Sequence, residues 1–427
     1  MDTTSRRGYL NGYRVVDLTD FRGLLTGRLL ADLGAEVVAV EPPGGAAART
    51  APPLLGGTGV SRLWAALSHN KKSVTCDIHS ADGRALLLRL CAAADFLLVS
   101  GTRREVDALG LDADTLRSLN DRLIHVTMTP FGRTGPKAGY ADSDLVIWAA
   151  SGALERNRVD GRVPVRIGTS YQAYFHGASD AVVGALLALA ERARSGRGQG
   201  VDISFQESLV AANQGQGLYP LVNDVAAGPQ DGVTIFPTVW KTSDGYVQFT
   251  LTSGPATGHF SNNFMAWVAE SGLLPDHLAA VDWRDLPQTS GSGLSASGAT
   301  KDKYAEKGMG DAERAQIEAI IARFFSTRGT DEILTTARDR RLLLAPILSV
   351  ADIMDNDHHD ARGTWFPTGD ADASGPCLPG PFARIRPEAF VNHGGSGAAG
   401  AANGDVYGGW LGMTGADVAL LQTNGVI

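Results

Sequence analysis

Apolar residues along the first 130 positions come in short blocks, and the spacing within the blocks alternates between two patterns. YRVVDL (13–18), AEVVAVEPP (35–43), KSVTCDI (72–78), DFLLVS (95–100) and LIHVTMT (123–129) are compact and rich in β-branched residues. They predict strands. LLTGRLLADLG (24–34), SRLWAALSH (61–69), ADGRALLLRLCAAA after Ser80, and EVDALGLDADTLRSLN (105–120) space their apolar residues at helical intervals. Gly34 marks one helix end, Ser80 is placed as an N-cap, and Pro42 and Pro43 close the second strand. Strands alternating with helices predict βαβ units around a mostly parallel sheet. Such a sheet binds ligands beyond the C-terminal ends of its strands.

The pattern changes near residue 220. IFPTVWKTSDGYVQFTLT (235–252) places a Ser-Asp-Gly turn between two apolar runs and predicts a β-hairpin. Helical spacing returns around 263–272 and 311–325. Between them PQTSGSGLSASGATKDK (287–303) reads as a surface loop. The middle of the chain therefore predicts a smaller α+β domain. GGSGAAGAANG (394–404) is a second Gly-rich stretch. The tail WLGMTGADVALLQTNGVI predicts a helix capped by Thr414 and ended by Gly425.

At 427 residues, with 44% apolar and 20% charged positions, the composition is that of an ordinary globular protein of two domains. The net charge of −8 supplies no footprint for nucleic acid or an anionic membrane. The apolar run Ala181–Ala190 is too short to span a bilayer. No secretion signal is read at the start, so a cytoplasmic location is expected. Cys76, Cys91 and Cys377 are too few and too scattered for a disulfide framework or a zinc site. DNDHHDARG (355–363) gathers His and Asp residues. However, the adjacent His358 and His359 cannot easily face one ion, so no metal is expected. No G-x-G-x-x-G follows the first strand, and no P-loop or G-x-S-x-G elbow occurs. NAD enzymes, P-loop NTPases and serine hydrolases are thereby disfavoured.

Two basic pairs are placed either to meet an anionic ligand or to stand as solvated charges. Lys71 and Lys72 precede the third strand. Arg103 and Arg104 follow the fourth, where ligands of α/β sheets bind. TPFGRTGP (129–136) follows the fifth. Its glycines, Gly132 among them next to Phe131, let backbone approach a ligand or simply turn the chain.

Taken in order, these segments resemble the class III coenzyme A-transferases, the family of formyl-CoA transferase, the carnitine CoA-transferases and α-methylacyl-CoA racemase. The matching stretches are RLLADLGAEVVAVEPPGG (28–45), NKKSVTCDI (70–78), LNDRLIHVTMTPFGRTGP (119–136) and GALLALAERARSGRGQGVDISFQES (184–208). SDGYVQFTL (243–251), LLLAPILSVADIMDNDHHDARGTWF (342–366) and LGMTGADVALLQTNGVI follow them. The resemblance implies a large Rossmann-like, CoA-binding domain from 1–220 and 380–427. A smaller α+β domain at 221–379 is inserted in it, and two chains interlock as a dimer. It implies coenzyme A or an acyl-CoA as substrate, with CoA moved to a carboxylic acid, and a CoA site near Lys71, Lys72, Arg103, Arg104, Phe131 and Gly132. In the transferases an aspartate attacks the thioester and carries the acyl group and then CoA covalently. In the racemases an aspartate and a histidine move a proton instead.

The family aspartate stands ahead of the long apolar helix. Counting back from the Gly196–Gln199 turn reaches Ala173 or Tyr174, neither of which is a carboxylate. The racemase histidine falls near Ser143 in ADSDLV. The loop after the first strand, TDFRGLL, is shorter than the family pattern and lacks its glutamine, and Pro42 stands where a basic residue is often found. Three readings follow. Asp180 acts as the nucleophile from a rearranged loop. Tyr174 or His176 runs acid–base chemistry. Or the chain is the acid-less member of a heterodimer whose partner, a second class III chain, supplies the aspartate. GTSYQAYFHGASDA (168–181) resembles such subunits, the non-catalytic chain of benzylsuccinate CoA-transferase being one. A homodimer and a non-catalytic acyl-CoA-binding protein remain as alternatives.

Overall fold

The computed structural model describes residues 8–154, 163–166, 168, 170–213, 236–287, 301–367, 377–380, 382–385 and 390–427. They form two compact units, with the chain changing unit at 214/215 and 361/362. The sequence reading put these changes at 220 and 380.

In the first unit, β1 (Arg14–Leu18), β2 (Glu36–Glu41), β3 (Lys72–Thr75), β4 (Phe96–Ser100), β5 (Ile124–Thr129) and β6 (Gly200–Ser204) form one sheet. Its order is β3-β2-β1-β4-β5-β6, and every pairing is parallel. The central strands are covered on both faces, which is why FLLVS and IHVTMT are buried at every position. Val15 joins one core with Leu30, Phe96 and Phe205, and Val16 joins the other with Leu87, Leu97 and Tyr407. β6 escaped the sequence reading: GVDIS is short, partly polar and half exposed, an edge strand with little apolar signal. The order reverses between β1 and β4, which opens a crevice at their C-terminal ends.

The intervening helices are α1 (Leu24–Asp32), α2 (Arg62–Leu67), α3 (Ala81–Ala92), α4 (Arg103–Ala108), α5 (Ala113–Leu119), α6 (Asp144–Ala150), α7 (Gln172–Ser195) and α8 (Phe205–Ala212). Ser80 caps α3 as predicted, accepting from the Gly83 amide. The single helix predicted over 105–120 is instead α4 and α5. Gly110, in the left-handed region at φ 58°, ends the first, and Asp112 caps the second. α7 starts well before the apolar run that announced it. By length and composition it is long enough to cross a membrane, but it packs against α1, α8, β5 and β6 as a core helix.

The chain end returns to this unit as two helices, Asn403–Leu411 and Gly415–Thr423, not the single one predicted. Gly412, at φ 67°, separates them, and Thr414 caps the second. This segment also covers the edge of β3. Gly394 O accepts from the Asn70 amide at 2.8 Å, and the Asn403 side chain accepts from the Thr75 amide at 2.9 Å. An exposed edge strand is thereby protected from pairing with another chain.

In the second unit the predicted hairpin is β7 (Val239–Lys241) with β8 (Tyr246–Phe249), turned at Ser243–Gly245. β9 (Leu344–Pro346) adds a third antiparallel strand. Helices Gly258–Glu270 and Asp311–Ser326 pack an aromatic core over it, with Phe249 and Phe264 ring centroids 4.2 Å apart. Most of the predicted loop at 287–303 lies outside the described residues.

Candidate active site

Three loops meet at the mouth of the crevice: 19–23 after β1, 130–143 after β5, and the entry to α7. The entry is built without a local signal. Tyr171, the N-cap residue, adopts a left-handed φ of 76°, rare for a bulky side chain, and offers no side-chain cap. The cap comes from elsewhere in the chain: Asp144, at the start of α6, accepts the Ala173 amide at 2.9 Å and pairs with Arg166 at 3.3 Å. A carboxylate there also complements the positive end of the helix dipole. Ala173 and Tyr174 are thus in the first turn of α7, not in a loop before it.

Tyr174 is 2% exposed. Its ring meets Phe205 edge to face at 5.1 Å and Phe21 at 5.7 Å. Its hydroxyl donates to Asp142 Oδ2 at 2.7 Å. Asp142, whose side chain is 1% exposed, is gripped by Arg22 through two bonds, Nε to Oδ2 at 3.2 Å and Nη2 to Oδ1 at 3.1 Å. Arg22 also contacts Asp20, and Glu105 at 3.5 Å. Ser100 at the end of β4 donates to Asp20 Oδ1 at 2.7 Å and anchors that loop. Burial, and then the Asp142 carboxylate, push the Tyr174 phenol far above its ordinary range. A phenol so held donates a hydrogen bond and does not ionise near neutral pH. Asp142 already accepts three hydrogen bonds, two from Arg22 and one from Tyr174.

The other residues singled out from the sequence are distributed as follows. His176 and Asp180 lie on the exposed side of α7, away from Ala173, Tyr174 and Gly177, and the structure does not bring them to the cluster. Asp180 is well inside the helix, so no rearranged loop carries it. Lys71 is not a ligand-facing cation. Its ammonium is completely buried, donating to Asp17 Oδ2 at 2.8 Å and to the Leu24 carbonyl at 2.7 Å. Lys72 turns to Glu36, at 2.8 Å, and to Asp405, on the side of the sheet edge covered by the chain end. Neither lysine joins Arg103 and Arg104, which open α4 beyond the C-terminal end of β4. Arg103 pairs with Asp107 at 3.3 Å, as does Arg133 at 3.2 Å. Arg104 is exposed, and among the described residues it has no ion pair. Phe131 is buried beside Tyr140, with centroids 6.2 Å apart. Gly132, at φ 80°, takes a conformation that favours glycine and turns the chain after β5. Thr129, the last residue of β5, has a buried hydroxyl with no partner among the described residues. His358 is exposed and His359 half-buried. No group of metal-ligating side chains occurs among the described residues.

Sequence reasoning missed Arg22, Asp142, Asp144 and Arg166. The signal was nevertheless present. TDFRGLL, ADSDLV and the SYQAYF stretch are three of the places where the chain departs from the resembled pattern, and the structure brings all three into one hydrogen-bonded cluster.

An all-parallel six-stranded sheet with a small antiparallel one, and an α7 entry set at the crevice, define an α/β protein with its candidate site beyond the C-terminal ends of its strands. The chain belongs to the CoA-transferase family III, whose model matches residues 10–275 and 279–389. It is similar to the succinyl-CoA:(R)-benzylsuccinate CoA-transferase subunit BbsE of Thauera aromatica, with 30% identity over 385 residues, covering 88% of each chain. It is also similar to the α-methylacyl-CoA racemase of Mus musculus, with 28% identity over 370 residues, covering 84% of this chain and 83% of the other. A crystal structure of a CAIB/BAIF family protein from Brucella suis shares the fold, with a TM-score of 0.78 at 24% identity, over 95% of this chain and all of that one.

Proposed function

We propose that this chain binds an acyl-CoA in the crevice and serves a CoA transfer to a carboxylic acid, with a second class III chain supplying the nucleophile. One observation carries this reading. At the entry to α7, where the resemblance implies an attacking aspartate, the chain has Tyr174, hydrogen-bonded to Asp142, which Arg22 holds in turn. No carboxylate occurs between Gly168 and Ser179. A phenol held neutral is no substitute in forming an acyl anhydride. The same locked pair speaks against a proton-shuttling isomerase, which needs one group free to accept a proton. The similarity to an enzyme subunit from Thauera aromatica supports a paired assembly. The expected state is a dimer, hetero- or homo-, and an interlocked one. Sedimentation of a folded, stable monomer at micromolar concentration contradicts that assembly.

For the CoA moiety, the exposed Arg104, with Arg103 beside it and the backbone at Phe131 and Gly132, forms the binding edge. A charge-assisted bond contributes about 1.5–3 kcal/mol. Arg104→Ala is expected to weaken CoA binding about tenfold or more by titration calorimetry. Unchanged affinity in both Arg103→Ala and Arg104→Ala removes this placement.

A further inference from the structure

The loop after β1 is held from beneath by one ammonium. Lys71 Nζ, fully buried, donates to Asp17 Oδ2 at 2.8 Å and to the Leu24 carbonyl at 2.7 Å, so it bonds the chain on both sides of residues 19–23. The other Asp17 oxygen accepts the Thr19 amide at 2.9 Å and the Thr19 hydroxyl at 2.6 Å. The two ends of the loop nearly touch. The Gly23 amide donates to the Asp20 carbonyl at 3.0 Å, and a Cβ on Gly23 would stand 2.7 Å from the Thr19 methyl. From β1 the loop crosses to the end of β4, where the Asp20 amide donates to Ser100 Oγ at 2.9 Å, and it carries Arg22 to Asp142. The lysine is itself anchored. Asn70, just before it, has a left-handed φ of 64°, and its amide donates to the Gly394 carbonyl at 2.8 Å.

We infer that Lys71 is a positioning residue: its ammonium fixes the β1–α1 loop as a wall of the crevice and, on the reading proposed above, preorganises the acyl-CoA site. Desolvating two buried charges offsets most of their attraction, so stability alone does not account for the Lys71–Asp17 pair. What the ammonium supplies is geometry, since it ties residue 17 to residue 24 across the base of the loop. A wall already in place spares the ligand the cost of ordering it.

The double variant Lys71→Met, Asp17→Asn removes the bridge and leaves no buried charge behind. The asparagine oxygen still accepts from Thr19, so the turn at the start of the loop is kept. Hydrogen exchange reads the loop at the Gly23 and Leu24 amides, both of which donate to the Asp20 carbonyl, against the amides of β1. A loss of overall stability speeds both sets alike, so their ratio isolates the loop. In the variant the loop amides are expected to gain about tenfold or more relative to β1. Acetyl-CoA binding by titration calorimetry is expected to weaken about fivefold or more, as the ligand then bears the ordering cost. An unchanged exchange ratio overturns the inference, and so does a loosened loop with undiminished acetyl-CoA affinity. The native chain gives a check that does not need the variant to fold: its Gly23 and Leu24 amides should exchange within about tenfold of β1, and exchange at the rate of an open loop overturns the inference. If the native chain binds no acetyl-CoA, the proposed function falls, while the exchange ratio still decides whether Lys71 sets the loop.

Discussion

Tyr174, Asp142 and Arg22 illustrate how one substitution propagates through a site. A tyrosine in the first turn of α7 brings a buried hydroxyl that must be satisfied. Asp142 accepts it, and a buried carboxylate then needs a cation, which Arg22 provides through two bonds. Each of these residues lies in a segment that departs from the resembled pattern, and together they form one hydrogen-bonded set. Sequence inspection found the three segments but not the contact, because the partners are 32 and 120 positions apart. The lysines misled for the opposite reason. Two adjacent cations before a strand look like a phosphate site, yet the strand's alternation sends Lys71 inward to Asp17 and Lys72 to the other face. At this same scale, His125 on β5 carries a pH dependence. Burial, and then Arg133, push its imidazole down to about 4 from an ordinary 6.5. The folded state keeps it neutral while the unfolded chain takes up a proton below about pH 6.5. Its contribution is therefore whole above pH 6.5 and is lost as pH falls toward 4. Between pH 7 and pH 5 that amounts to about 2 kcal/mol. Urea unfolding at the two pH values should show this loss in the native chain and a flatter dependence in His125→Gln. Equal slopes in both contradict the assignment.

At the scale of elements, the strands of the parallel sheet were legible because burial on both faces makes them continuous apolar runs. α1, α2 and α3 were legible from their periodicity and from Ser80. What failed has identifiable physical causes. β6 is an edge strand with only two apolar residues, Val201 and Ile203, neither of them fully buried. α4 and α5 were merged because Gly110 inside a helical rhythm reads as tolerable, and only its left-handed backbone shows the break. The start of α7 was placed too late because its cap is Asp144, a side chain from another helix. One glycine in α1 was not singled out at all. A Cβ on Gly27 would stand 2.1 Å from Asp17 Oδ2 and 2.9 Å from Lys71 Nζ, so the buried ion pair exists only because this position has no side chain.

For the whole molecule, the two-unit division with a returning C-terminus follows from composition shifts and from the resemblance. The chain belongs to the CoA-transferase family III, and on the function proposed above it holds the thioester without attacking it. The most direct test incubates the purified chain with an acyl-CoA, traps with hydroxylamine or borohydride, and maps adducts by mass spectrometry. It is run alone and with a second class III chain that carries an aspartate ahead of its own long helix. The account predicts no acyl or CoA adduct on any carboxylate of this chain in either case, and turnover with an adduct on the partner only in the mixture. A covalent adduct on this chain, at Asp180, Asp142 or elsewhere, together with turnover by the chain alone, would contradict it.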